Sequence, residues 1–138
     1  MKKSKTTTTN NQPEGKMLTD VELELMTILW YIGEGSVTQV MNELSQEREL
    51  AYTSVSTILR ILEQKEILKT RKEGRGHVYI PLMAKAEYEA KTVKHVVDRV
   101  FEGTPVSLVK RLLDTIDISD EDLKDIKKLI AKNERREK

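Results

Sequence analysis

Between Thr19 and Leu62 the chain repeats one pattern three times. Apolar residues recur at three- and four-residue spacing, and polar residues fill the other positions. The first segment carries Val21, Leu25, Ile28, Leu29 and Ile32, with Trp30 beside the stripe. Thr19 and Glu22 form a T-x-x-E capping box at its start, and Gly33 and Gly35 end it. The second opens on another box, Ser36 with Gln39, and carries Val37, Val40, Met41 and Leu44. Glu47 to Leu50 is expected to turn. The third helix is predicted from about Tyr52 to Lys65, with Val55, Ile58, Leu59 and Leu62 buried. At 100° per residue its opposite face is Thr53, Thr57, Arg60 and Gln64, flanked by Ser54, Ser56 and Ile61. The period then changes to that of strands. Leu68 to Lys72 and His77 to Ile80 are joined around Gly74-Arg75-Gly76, and Pro81 ends the pair.

Helical spacing returns at Lys85. Val93, Val96, Val97, Val100 and Phe101 make one stripe, stopped by Gly103. Thr104 and Pro105 suit the N-cap and first position of a helix carrying Leu108, Val109, Leu112, Leu113 and Ile116. Ser119 caps a last helix with Leu123, Ile126 and Ile130. Amphipathic helices of this length struggle to bury their stripes alone, so a second copy of the chain is expected to cover them. The stripe residues Val93, Val96, Val97, Val100, Leu108, Leu112, Leu123, Ile126 and Ile130 are the candidate dimerisation set. The expected organisation is a disordered tail over residues 1–17, a helix-and-hairpin domain over 18–83 and a helical dimerisation region over 84–138. The fold class is mostly α with a small β-hairpin wing.

Three helices and a hairpin in this order describe a winged helix-turn-helix, which lays its third helix in the DNA major groove and its hairpin on nearby phosphates. Hydroxyls at Thr53, Ser54, Ser56 and Thr57 are placed to meet base edges. Arg60, Arg71, Lys72 and Arg75 are placed to meet phosphates. The net charge of the 138 residues is only +1, so the distribution matters more than the sum. Residues 18–50 hold one basic residue against seven acidic ones, whereas residues 51–83 hold six against three. The positive excess therefore lies on the proposed reading helix and hairpin. Four lysines before Met17 could touch phosphate or be solvated.

The chain has no cysteine, which removes disulfides, thiolate metal sites and cysteine nucleophiles. His77 and His95 are the only histidines and lack ligand spacing. No phosphate-binding glycine loop, nucleophile-base set or paired carboxylate is present. Neither an enzyme, a metal nor a cofactor is expected. Trp30 and Tyr79 are expected in the core rather than as stacking platforms. No apolar run suits a membrane span or signal peptide, and the expected compartment is the cytoplasm.

Three motifs in order resemble the penicillinase-repressor family of bacterial winged-helix regulators, the BlaI/MecI/CopY type, over about Leu18 to Lys132. The first helix has Glu22, Met26 and Trp30 at the family's spacing. The third has Tyr52, Thr53, Ser54, Val55, Thr57, Leu59 and Leu62. The hairpin GRGHVYIPL has Gly74, Arg75, Tyr79 and Pro81. The resemblance implies a homodimeric repressor on double-stranded DNA, with N-terminal winged helices and C-terminal helices forming the dimer. A near-palindromic operator would follow from two-fold symmetry. Three positions depart from the pattern. Ile61 stands where the family has an arginine, with Arg60 one position earlier. The Cys-x-Cys pairs of copper-responsive members are missing. Arg111-Leu112 stands where β-lactam-responsive members have a scissile Asn-Phe bond. An inducer or protease that releases DNA remains open as a partner. Two other readings compete: a ligand-sensing regulator of the MarR sort, and a winged helix that binds protein through the acidic 18–50 segment.

Overall fold

The structure is a computed structural model and describes residues 17–136; most of the expected N-terminal tail lies outside that range. Six helices and one hairpin follow in order: α1 Asp20–Ile32, α2 Val37–Glu43, α3 Tyr52–Gln64, β1 Leu68–Glu73, β2 Gly76–Pro81, α4 Lys85–Arg99, α5 Pro105–Thr115 and α6 Asp120–Arg136. The fold is thus the expected one, mostly α with a two-stranded wing.

Local chemistry sets the boundaries. Both capping boxes close: Glu22 N–H donates to Thr19 Oγ1 while Thr19 N–H donates to Glu22 Oε1. Ser36 and Gln39 do the same. Gly33, at φ 94°, ends α1 in a conformation that costs other residues dearly. The wing turns on Gly74-Arg75, with Gly74 at φ 61° in the first turn position, where glycine is favoured. Ser119 Oγ accepts from Asp122 N–H at the start of α6. Pro105 opens α5 as expected, but the Thr104 side chain makes no capping bond.

The chain separates into two compact units, one up to Lys94 and one from His95, and the division lies inside α4. In the first unit ten residues form the core: Leu25, Met26 and Leu29 of α1, Val37 and Val40 of α2, Val55, Leu59 and Leu62 of α3, Leu68 of β1 and Tyr79 of β2. Ile58 and Trp30 pack against it half-buried. The strands pair antiparallel, Leu68 opposite Pro81 through Glu73 opposite Gly76. A further backbone bridge adds Gly35 to the outer edge of β2. Gly35 N–H donates to Tyr79 C=O at 3.0 Å and Tyr79 N–H to Gly35 C=O at 2.8 Å. The opening turns of α4 share this unit's packing. Tyr88 is buried, its ring lies 5.9 Å from that of Trp30, and its hydroxyl accepts from Leu18 N–H. The Trp30 indole donates to Met83 C=O at 2.8 Å.

In the second unit, the rest of α4 runs into a turn through Glu102 and Gly103, both at positive φ. Gly103 N–H reaches Val97 C=O there. None of its described residues is buried.

Candidate nucleic-acid interface

Helix α3 is anchored by Val55, Leu59 and Leu62, all fully buried. Its geometry therefore turns Thr53, Ser54, Thr57 and Arg60 outward, and each is exposed, with Ser56 half-buried. Ion pairs to α1 brace the segment at both ends. Arg48, in the loop before α3, places Nε 2.9 and 3.1 Å from the two carboxylate oxygens of Glu24. Lys65, just past α3, sets Nζ 2.8 Å from Oε2 of buried Glu22. Glu22 thus uses one oxygen to cap α1 and the other to hold the end of α3.

Across from α3 stands the wing. Residues opposite each other in an antiparallel pair share a face, and successive residues alternate. Leu68 and Tyr79 are core residues, so Leu68, Thr70 and Lys72, with Pro81, Tyr79 and His77, form the face toward α3. Lys69, Arg71 and Glu73 lie on the outer face with Ile80 and Val78. Between α3 and the wing runs a groove of about 460 Å³, whose lining includes Tyr52, Ser56, Arg60, Arg75 and His77. Ser36, the N-cap of α2, and Thr38 in its first turn close it on another side. Glu63, also on its wall, accepts a hydrogen bond from Thr70 Oγ1 at 3.0 Å. Burial pushes the Tyr79 phenol above its ordinary pKa, and the nearby Glu63 charge adds to the shift.

The groove brings together three of the eight residues expected to meet DNA: Ser56, Arg60 and Arg75. Lys72 is exposed beside it, opposite His77. Thr53, Ser54 and Thr57 lie on the open surface of α3. Arg71 is directed elsewhere. Its Nη2 is 2.7 Å from Glu34 Oε2, and Glu73 lies 3.7 Å away. The hydrogen bond from Arg71 holds the Glu34 carboxyl below the usual carboxylate range, and the same bond raises the Arg71 pKa. A lowered carboxylate pKa means the pair is intact at neutral pH and lost only as pH falls through that lowered value. Thr38, Tyr52 and His77 also line the groove, although none was expected among the DNA contacts. The signal for His77 was available in the two-residue period of the strand. No cluster of His, Asp or Glu suited to a metal occurs among the described residues.

A family model described as penicillinase repressor matches residues 18–132. The chain belongs to the penicillinase repressor family. As a member it is a transcriptional repressor and not an enzyme. The penicillinase repressor of Bacillus licheniformis is 27% identical over 121 residues, covering 88% of this chain and 94% of that one. The methicillin resistance regulatory protein MecI of Mammaliicoccus sciuri is 22% identical over 115 residues, covering 83% and 94%. Among solved structures, Bacillus licheniformis BlaI in monomeric form with the blaP half-operator matches 54% of this chain and 92% of that chain. Its sequence identity is 31% and its TM-score 0.46. Where this chain departs from the family's reading-helix pattern, Arg60 lines the groove whereas Ile61 is 38% exposed on the flank. Of the candidate dimerisation residues, Val93, Val100, Leu112 and Ile130 are exposed in the single chain. Val96, Val97, Leu108, Leu123 and Ile126 are half-buried. Among the described residues no helix is long and apolar enough to cross a membrane.

Proposed function

We propose that this repressor binds duplex DNA as a homodimer on a near-palindromic operator in the cytoplasm and blocks transcription by occluding a promoter. The observation that carries the DNA reading is the groove between α3 and the wing, walled by Arg60, Arg75, His77 and Ser56 beside an open helix face of Thr53, Ser54 and Thr57. Hydroxyls on that face can donate to or accept from base edges, and threonine methyls can meet thymine methyls. Arg60, Lys72 and Arg75 supply the salt-dependent phosphate contacts that set register. The relatives' names, penicillinase repressor and MecI, fit this role.

The dimer reading rests on the second unit. Its three helical segments bury no residue, while Val100 is 65%, Val106 74% and Ile116 54% exposed. Apolar stripes this open are costly in water and call for a partner surface. Symmetry makes a second copy the simplest partner, with two reading helices about one DNA turn apart or a multiple of it. Sedimentation of the intact chain, free and with duplex fragments selected from the source genome, tests both parts. A dimer at micromolar concentration that takes up one palindromic duplex is expected. A monomer, or a dimer indifferent to DNA, contradicts the reading.

A further inference from the structure

The outer face of the wing carries an ion pair between Arg71 and Glu34. Arg71 sits in mid-β1 opposite Val78. Val78 is 6% exposed, yet it lies outside the core cluster. Its cross-strand neighbour is Arg71, on the same face of the hairpin. Glu34 immediately precedes Gly35, whose backbone is bridged to Tyr79 on the far edge of β2. The Glu34 carboxylate meets the Arg71 guanidinium through two contacts, Nη2 to Oε2 at 2.7 Å and Nη1 to Oε1 at 3.4 Å. Strand β2 lies between the two elements that this pair ties together: β1 on one side and the α1–α2 loop on the other. Among the described residues Lys72 and Arg75 have no ion-pair partner, which sets Arg71 apart from them.

Resting on the DNA-binding reading above, we propose that Glu34 and Arg71 form a strut that fixes the angle of the wing against the reading helix. Arg71 is then a positioning residue and not a phosphate ligand. Leu68, Tyr79 and the Thr70–Glu63 hydrogen bond hold the hairpin on its inner face, and the one-residue bridge at Gly35 adds only two hydrogen bonds at its edge, so the outer face is left to the Glu34–Arg71 pair. A bidentate pair there resists a change of wing angle, because a planar guanidinium fixes direction as well as distance. With the wing held, Arg75 at its tip stays over the groove it shares with Arg60.

Charge-balanced variants of the full chain test the strut, since each keeps the wild-type net charge. The probes are a mixed-sequence duplex and a duplex selected from the source genome, with a thermal melt of each variant. Glu34→Ala/Arg71→Ala loses the strut and is expected to bind both duplexes about threefold to fivefold more weakly, the scale of an exposed ion pair. Glu34→Arg/Arg71→Glu rebuilds the pair in reverse and is expected to bind within about twofold of wild type. Weak binding by both double variants would mean that Arg71 touches phosphate. Wild-type affinity in both, with or without a lower melting temperature, would mean that the pair has no bearing on DNA. Either result overturns the proposal. A wild-type chain that binds neither duplex overturns the DNA reading itself, and the strut's role with it.

Discussion

Replacing Arg75 with alanine should change the salt dependence of DNA binding more than it changes the fold. Arg75 is exposed, occupies the second position of the wing turn, and makes no ion pair among the described residues. It lines the groove shared with Arg60. Its removal therefore costs little stability, and thermal melts should barely move. The magnitude follows from counterion release. Each phosphate neutralised on duplex DNA contributes about −0.9 to the slope of log affinity against log salt, so two Arg75 side chains in a dimer contribute about −1.8. Between about 50 and 200 mM salt, a slope difference of that size changes the ratio of wild-type to variant affinity by about twelvefold. Fluorescence anisotropy with one operator duplex and one mixed-sequence duplex, titrated across that range, reads the effect. The slope should fall equally on both duplexes, because a phosphate contact carries no sequence information. An unchanged slope with altered preference among sequences would refute the assignment and make Arg75 a base reader.

Other outcomes follow from the same geometry. Thr57→Val keeps the side-chain shape on the exposed face of α3 and should lower operator affinity by about 1–3 kcal/mol relative to mixed-sequence DNA; equal losses on both would argue against base contact. Glu22→Gln keeps an acceptor for the Thr19 cap but removes the charge opposite Lys65. Because Lys65 is partly exposed, the cost in urea unfolding should be about 1–3 kcal/mol, below the range for a fully buried pair, and a loss under about 0.5 kcal/mol would mean the pair is not formed. Tyr88→Phe removes the acceptor for Leu18 N–H and should cost about 1 kcal/mol, whereas Tyr88→Ala should cost about 3 kcal/mol or more through the emptied site beside Trp30. Equal effects of the two Tyr88 variants would show that the ring contact contributes nothing.

Much of this was legible before the structure. Capping boxes at Thr19 and Ser36 are short-range chemistry, and both closed as their spacing implied. The buried face of α3 followed from period alone, because Val55, Leu59 and Leu62 can meet a core only together. What escaped was tertiary. A one-residue bridge such as Gly35 to Tyr79 leaves no periodic trace, so the third edge of the wing was invisible. Tyr88 sits outside the valine stripe of its own helix, and only the fold reveals that it closes over Trp30. Arg71 and Lys72 are adjacent and alike in charge, yet the hairpin separates them. Neighbours in a strand point to opposite faces, so the two lie on different faces of the wing. Which of them faces α3 is settled by register, which Leu68 and Tyr79 set by entering the core. Similarly, no local signal tied Glu34 to a residue far along the chain.

In the proposed complex two copies of this chain read one DNA site. Hydroxyl-radical footprinting of the intact protein on a duplex selected from the source genome tests it most directly. Two protected half-sites related by two-fold symmetry are expected, with centres about one helical turn or a multiple of it apart. A single asymmetric footprint would contradict the dimer, and the absence of any footprint at protein concentrations that saturate binding would contradict DNA reading by α3 and the wing.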